Sequence, residues 1–460
     1  MRIYFETLGC PKNFNDSQVA QGILETQGHE IAASPEEADV IVVNTCGFIN
    51  DAKTESIERI FDMAAYKELG KKLIVSGCLS ERYAEELYEE MPEVDLFMGV
   101  NEYEKLPELL EDLDQRSVAR SGCAPDVVAY HPRKLDENPY TATLKIAEGC
   151  NNICAYCVIP HIRGKFRSKK EEDILLEAEE LAKAGCKELI LIAQDTTYYG
   201  YDLYGELRLA KLLKKLCRID GIEWIRLMYC YEDRITDELI QVMAEEPKIC
   251  HYLDIPIQHA SDSVLKAMNR RSTMESIKGT MARLKAAMPD IHVRTTLIVG
   301  FPGETEEDYD QLVEFVEEER FARLGVFAYS QEEGTEAGDR EDQIDDEIKD
   351  VRLDGIMRRQ LDISLGYNQE KVGQVFEVMV DEIDEDGSYL GRTRYDAPEI
   401  DNSVIFTSEK ELKPGDIVHV MVNDAFDYDL VGREVFQTAW STKSQMKPPW
   451  ALGYFLTTSQ

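Results

Sequence analysis

Twice along the chain, short apolar runs alternate with helix-length segments, and this commits each region to a parallel sheet layered with helices, because parallel strands need long crossovers. In the first hundred residues the runs are Ile3–Phe5, Val40–Val43, Leu73–Val75 and Leu96–Met98. They predict a doubly wound parallel α/β sheet. The later runs are Thr143–Ala147, Leu189–Ala193, Trp224–Met228, Tyr252–Ile255, Val293–Ile298 and Leu324–Ala328. Six units at roughly 30 to 45 residue spacing predict a partial (βα)6 barrel rather than a closed eightfold one.

Between these regions, residues 113–138 have weak periodicity and several polar breaks, so a linker is expected there. The barrel region is expected to run over 139–373, with a charge-rich stretch from Gly338 to Asp350 before a helix-like segment ending near Lys371. The pattern then changes. Val375–Val380, Ser403–Phe406 and Ile417–Val422, with the turn Lys413-Pro414-Gly415-Asp416, predict a small all-β barrel over 374–440. Residues 441–460 read as an irregular tail. A chain of 460 residues suits three such domains, the first spanning 1–112.

The chain carries 89 acidic and 51 basic residues, a formal charge of −38. That balance opposes contact with a polyanionic backbone and favours a basic partner, although acidity also serves solubility alone. From Gln374 to Gln437 there are 16 acidic and 5 basic residues, so the terminal module shares the bias. No run approaches the roughly 18 uncharged apolar residues of a membrane span, and the N-terminus lacks a signal-peptide plan. A cytoplasmic protein is expected. In a reducing compartment its eleven cysteines point to metal sites or core packing rather than disulfides. Cys123, Cys186, Cys217, Cys230 and Cys250 belong to no motif and read as small buried residues.

The other six cysteines fall into two sets. Cys150, Cys154 and Cys157 form a C-x3-C-x2-C cluster directly after the first barrel strand, at the mouth where such barrels keep their chemistry. Three thiolates leave one iron of a 4Fe-4S cube open, and that iron can be chelated by the amino and carboxylate groups of S-adenosylmethionine. A structural zinc site or unrelated core cysteines are the alternatives. Cys10, Cys46 and Cys78 each follow a different one of the first three strands. Parallel strands gather their C-terminal ends at one sheet edge, so these three distant residues can converge on a second cluster. Three isolated core cysteines remain the alternative.

The C-x3-C-x2-C spacing, with Tyr156 before its third cysteine, resembles the radical-SAM superfamily. Together with the triad at 10, 46 and 78 and the terminal β module, it resembles the methylthiotransferases, a radical-SAM family with a terminal TRAM domain. The match covers nearly the whole chain. The resemblance implies two 4Fe-4S clusters and S-adenosylmethionine as cofactors. It assigns Cys150, Cys154 and Cys157 to the cluster that cleaves S-adenosylmethionine, and Cys10, Cys46 and Cys78 to an auxiliary cluster that presents sulfur. Gly300, Pro302 and Gly303, in Leu297–Glu304, look like the superfamily's cofactor-side segment, and Gln194 and Asp195 are similar to its polar segment near the methionine moiety. Arg270 and Arg271 can pair a carboxylate, while His259 is either a proton carrier or, the better reading, a hydrogen-bonded structural residue.

Within the family, one branch modifies an adenosine of transfer RNA. Another methylthiolates the β-carbon of an aspartate in protein twelve of the small ribosomal subunit. The runs Leu8–Asn13 and Val43–Ile49 look like the ribosomal-protein branch, and the acidic terminal module agrees with it independently. Lys169-Lys170 departs from the family pattern, where a proline is expected, without touching a ligand. The implied partners are a basic ribosomal protein and a small electron donor such as flavodoxin or ferredoxin, with neither membrane nor RNA. The alternatives are a transfer-RNA methylthiotransferase and a non-enzymatic iron–sulfur redox or sensor protein.

Overall fold

The structure, a computed structural model, describes residues 1–120, 128–135 and 137–436. Cys123 and the predicted tail lie outside them. The chain divides into two compact units, with the boundary between Ile363 and Ser364.

The first unit contains two parallel sheets among its described residues. One has the strand order β2-β1-β3-β4-β5-β6, with β1 at Arg2–Thr7, β2 at Glu30–Ile31, β3 at Val40–Thr45, β4 at Lys72–Gly77, β5 at Leu96–Met98 and β6 at Ser117–Ala119. All six residues of β3 are buried because its two faces both pack on helices. Ile41 and Val43 join Ile60 and Leu79 in one core, whereas Val40 and Val42 join Ala20 and Leu24 in another. Helices α2 (Asn50–Ala64) and α3 (Cys78–Glu90) therefore cover one face and α1 (Pro11–Thr26) the other. The sheet is doubly wound. Strand β6 falls in the stretch that reads as a linker: it pairs with β5, and its three half-buried residues are too few for a periodic signal.

The second sheet uses β7 (Thr141–Lys145), β10 (Glu188–Ile192), β11 (Trp224–Leu227), β12 (Ile249–Asp254), β13 (His292–Val299) and β14 (Arg323–Ala328) in the order β14-β13-β12-β11-β10-β7. Among the described residues no pairing joins β14 back to β7, so this is a partial (βα)6 barrel. A two-stranded ribbon, β8 (Ala147–Glu148) with β9 (Arg167–Ser168), brackets the segment that carries Cys150, Cys154 and Cys157.

The second unit is a closed barrel of five strands, β15 (Val375–Ile383), β16 (Tyr389–Thr393), β17 (Val404–Thr407), β18 (Ile417–Ala425) and β19 (Leu430–Glu434). Alternate residues such as Val378, Val380, Val418, Val420 and Val422 fill its interior. Strands β16 and β19 are not apparent from apolar patterning because Gly391-Arg392 and Gly432-Arg433 interrupt it. Among the described residues no helix is long and apolar enough to cross a membrane.

Candidate active site

Strands β1, β3 and β4 are neighbours, and each hands its chain to a cysteine at the same edge. Cys10 caps the N-terminus of α1, Cys46 follows β3, and Cys78 begins α3 directly after β4. A Cβ on Gly9 would lie 2.8 Å from the Cβ of Cys46, so the first loop closes on the second only because residue 9 has no side chain. Asn13 is fully buried and donates to the carbonyls of Leu8 and Thr45, each at 3.0 Å. Asn44 in turn donates to the Asn13 carbonyl at 2.9 Å. These bonds fix the two cysteine loops against one another.

Burial pushes the Cys46 thiol up to about 11 despite a backbone hydrogen bond at Phe48, and the nearby Cys78 and Cys10 add to the rise. Burial also raises Cys78, opposed by the Arg163 guanidinium. Cys46 and Cys78 so placed resist becoming thiolates by themselves, since each charge is desolvated and repelled by its neighbours. Iron supplies the missing positive charge, so the donor set fits an iron–sulfur cluster.

The second set lies between β8 and β9. The Cys150 amide donates to Gly164 at 3.1 Å, and a Cβ on Gly149 would come within 2.2 Å of the Lys165 carbonyl. Asn152 donates to Cys150 Sγ from both its backbone and its side-chain nitrogen at 3.4 Å. Cys154 Sγ lies 3.6 Å from the Tyr231 hydroxyl. Burial raises Cys150 to about 11, with the Asn152 amide opposing, and raises Cys157 further, with Cys154 adding. Tyr156 packs against a cluster that includes Phe301 and Tyr329. A cavity of about 240 Å³ opens over this loop, lined by Asn152, Cys154, Tyr231, Arg270 and Arg271.

Among the described residues, no three His, Cys, Asp or Glu side chains converge as ligands of one metal ion would. A cube differs from zinc in this respect, because each thiolate binds its own iron and the sulfurs stand apart. Each triad supplies three thiol donors, the number that leaves one iron of a cube open.

The softer candidates separate on inspection. Asp195 is buried, and its carboxylate accepts from Asn152 at 2.9 Å, from Thr197 at 2.7 Å and from Arg234. It positions Asn152 against Cys150. Gln194 donates to Glu148 at 2.6 Å, while its Oε1 is buried without a hydrogen-bond partner among the described residues. Arg271 donates to the Asn152 side-chain oxygen Oδ1 at 2.6 Å, and Arg270 lies 4.5 Å above the Tyr231 ring. Added Cβ atoms at Gly300 and Gly303, both at positive φ, would strike Lys349 and the Arg340–Asp342 pair, and Pro302 and Gly303 line a neighbouring cavity. Glu304 accepts from the amides of Gly300 and Phe301 at 2.8 and 3.2 Å, which fixes this turn. His259 Nδ1 accepts from the Ser261 amide at 3.0 Å, and its Nε2 lies 3.6 Å from Glu304, a structural setting.

A further feature has no sequence signal beyond position. Arg163, on the short helix that follows Cys157, donates to Asp16 at 2.6 Å, Asn13 at 2.6 Å, Glu148 at 3.3 Å and Cys78 Sγ at 3.4 Å. Lys145 pairs with Asp16 and, at 2.8 Å, with Glu148. This buried network joins the surroundings of the two cysteine sets.

Residues 2–99 match the Uncharacterized protein family UPF0004, residues 144–316 the Radical SAM superfamily and residues 372–435 the TRAM domain. The ribosomal protein uS12 methylthiotransferase RimO of Clostridioides difficile (strain 630) is 48% identical over 95% of this chain and 100% of its own. The chain belongs to the RimO family. The RimO of Desulfitobacterium hafniense (strain Y51) is 49% identical over 93% of this chain and 97% of its own. Among solved structures, the radical S-adenosylmethionine methyltransferase TsrM from Kitasatospora setae has a TM-score of 0.55 over 73% of this chain and 75% of that one. At 13% identity that likeness is one of fold alone. RimO membership covers both cysteine sets and the terminal barrel.

Proposed function

We propose that the protein methylthiolates the β-carbon of an aspartate in ribosomal protein uS12 by radical-SAM chemistry. The observation that carries this reading is the placement of two cysteine triads, buried or half-buried, in a chain 48% identical to a RimO over nearly its whole length. In this reading Cys150, Cys154 and Cys157 ligate one 4Fe-4S cluster, and Cys10, Cys46 and Cys78 a second. When bound, the first would supply reductive cleavage of S-adenosylmethionine and the second would present sulfur.

The chain's own residues orient and insulate these groups. Asn152, held by Asp195, Arg234 and Arg271, donates to Cys150 and stabilises its thiolate. Tyr156, Gln194 Oε1 and the cavity lined by Cys154, Arg270 and Arg271 are proposed to take S-adenosylmethionine. Gly300, Pro302 and Gly303 are proposed to act indirectly, by shaping the turn after β13. The division into 1–112, 113–138, 139–373, 374–440 and 441–460 is proposed as the domain plan, with a strand of the first sheet extending into the second segment.

The acidic terminal barrel is suited to a strongly basic ribosomal protein and opposed to RNA, since like-charge juxtaposition at an interface costs several kcal/mol. A small reductant such as flavodoxin or ferredoxin and a cytoplasmic setting complete the proposal. Mass spectrometry of ribosomal proteins from cells with and without this protein tests it. A methylthio mass on uS12 that vanishes with the protein is expected, and an unchanged uS12 would contradict the reading.

A further inference from the structure

Lys12 stands in the first turn of α1, two residues after Cys10, yet it is only 8% exposed. A lysine with its ammonium in the interior normally has a carboxylate beside it. Here, among the described residues, Nζ has no salt bridge to a carboxylate and no hydrogen bond, and it lies against the Tyr229 ring, whose centroid is 3.1 Å away. Of the nearby acids, Cys10 is assigned to the auxiliary cluster and the carboxylates are committed elsewhere. Glu148 takes Lys145, Gln194 and Arg163, and Asp254 accepts from the Tyr229 amide at 3.0 Å.

The surroundings hold this unpaired cation in place. Helix α1 docks on the barrel through Asn15 to Thr143 at 3.2 Å and through Asp16 to Lys145. Tyr229, just past β11, has a left-handed φ of 58°, a strained conformation for a bulky residue. Its amide bond to Asp254 and a 3.0 Å bond from Thr196 to its carbonyl fix that backbone. The ring therefore stays against Lys12, and the ammonium is kept between the auxiliary cysteine set and the mouth of the barrel.

We infer that Lys12 binds the side-chain carboxylate of the substrate aspartate and so determines specificity for an acidic residue; this rests on the proposed function. A reaction at the β-carbon brings the attached carboxylate into a protein interior already rich in negative groups. An unpaired buried carboxylate costs several kcal/mol, which a waiting ammonium offsets. Arg163, Arg234 and Arg271 already donate to protein acceptors, whereas Lys12 does not.

The test compares intact uS12 carrying Asp with uS12 carrying Asn at the modified position, using cluster-loaded full-length protein. Wild type is expected to bind the Asp form at least tenfold more tightly, and equal affinities would overturn the inference whatever the variants do. In Lys12→Gln and Lys12→Met the ratio should fall towards one through a higher KM for the Asp form, with iron content and the cluster EPR spectra as controls for integrity. A retained ratio in iron-replete variants, with or without a changed auxiliary spectrum, would assign Lys12 a different role and overturn the inference. If wild type adds no methylthio group to uS12 at all, the proposed function falls first and the inference with it.

Discussion

The guanidinium of Arg163 lies 3.4 Å from the Sγ of Cys78, so a side chain from the loop of one cysteine set donates to a thiol of the other. The same group carries three further acceptors, Asp16, Asn13 and Glu148. Burial raises the Glu148 carboxyl, but Lys145 and Arg163 outweigh it and hold the group well below the usual carboxylate range.

Arg163→Met is expected to destabilise the first unit by about 3–5 kcal/mol, because it leaves buried carboxylates short of a counter-charge. Chemical denaturation checks this. Loss of the positive charge should also lower the midpoint potential of a cluster ligated by Cys78, with Arg163→Lys intermediate, as read by EPR-monitored titration.

The two cysteine sets should load independently. Replacing Cys10, Cys46 and Cys78 together by Ala is expected to halve iron and sulfide in anaerobically reconstituted protein. Unchanged content in folded protein would remove the auxiliary site.

Cys154→Ala is expected to abolish deoxyadenosine formation, while Cys46→Ala should leave some uncoupled cleavage of S-adenosylmethionine and no sulfur insertion. Chromatographic quantification of deoxyadenosine separates the two. Equal loss in both would contradict separate roles.

Asn13→Ala should loosen Cys10 from Cys46, since it orphans the Leu8 and Thr45 carbonyls at about 1–3 kcal/mol per buried group. The auxiliary iron is expected to fall while the iron held by the other set remains, as measured by Mössbauer or EPR spectroscopy.

Reversal of Glu382, Asp384, Glu385 and Asp386 to Lys is expected to weaken uS12 binding and flatten its salt dependence. These positions are exposed, and salt screens such charges over about 8–10 Å. Asp381 is better left alone, because it pairs with the buried Arg392 at 3.2 Å. Fluorescence anisotropy across ionic strength provides the measurement.

The architecture was legible wherever burial on both faces of a strand produced continuous apolar runs, as in Val40–Val43. Short edge strands such as β2 and β6 left no such trace, and glycine with arginine masked β16 and β19. The cysteine spacings marked the candidate site, because adjacent parallel strands bring Cys10, Cys46 and Cys78 to one edge. Arg163 and the unpaired state of Lys12 were not legible, since both depend on which side chains meet across the sheet and the barrel.

The most direct test incubates the reconstituted protein, S-adenosylmethionine, reductant and sulfide with uS12 and, separately, with isopentenylated transfer RNA, and reads the methylthio mass on each. The account predicts that mass on an aspartate of uS12 and none on the RNA. A methylthio group on the RNA and none on uS12 would contradict it.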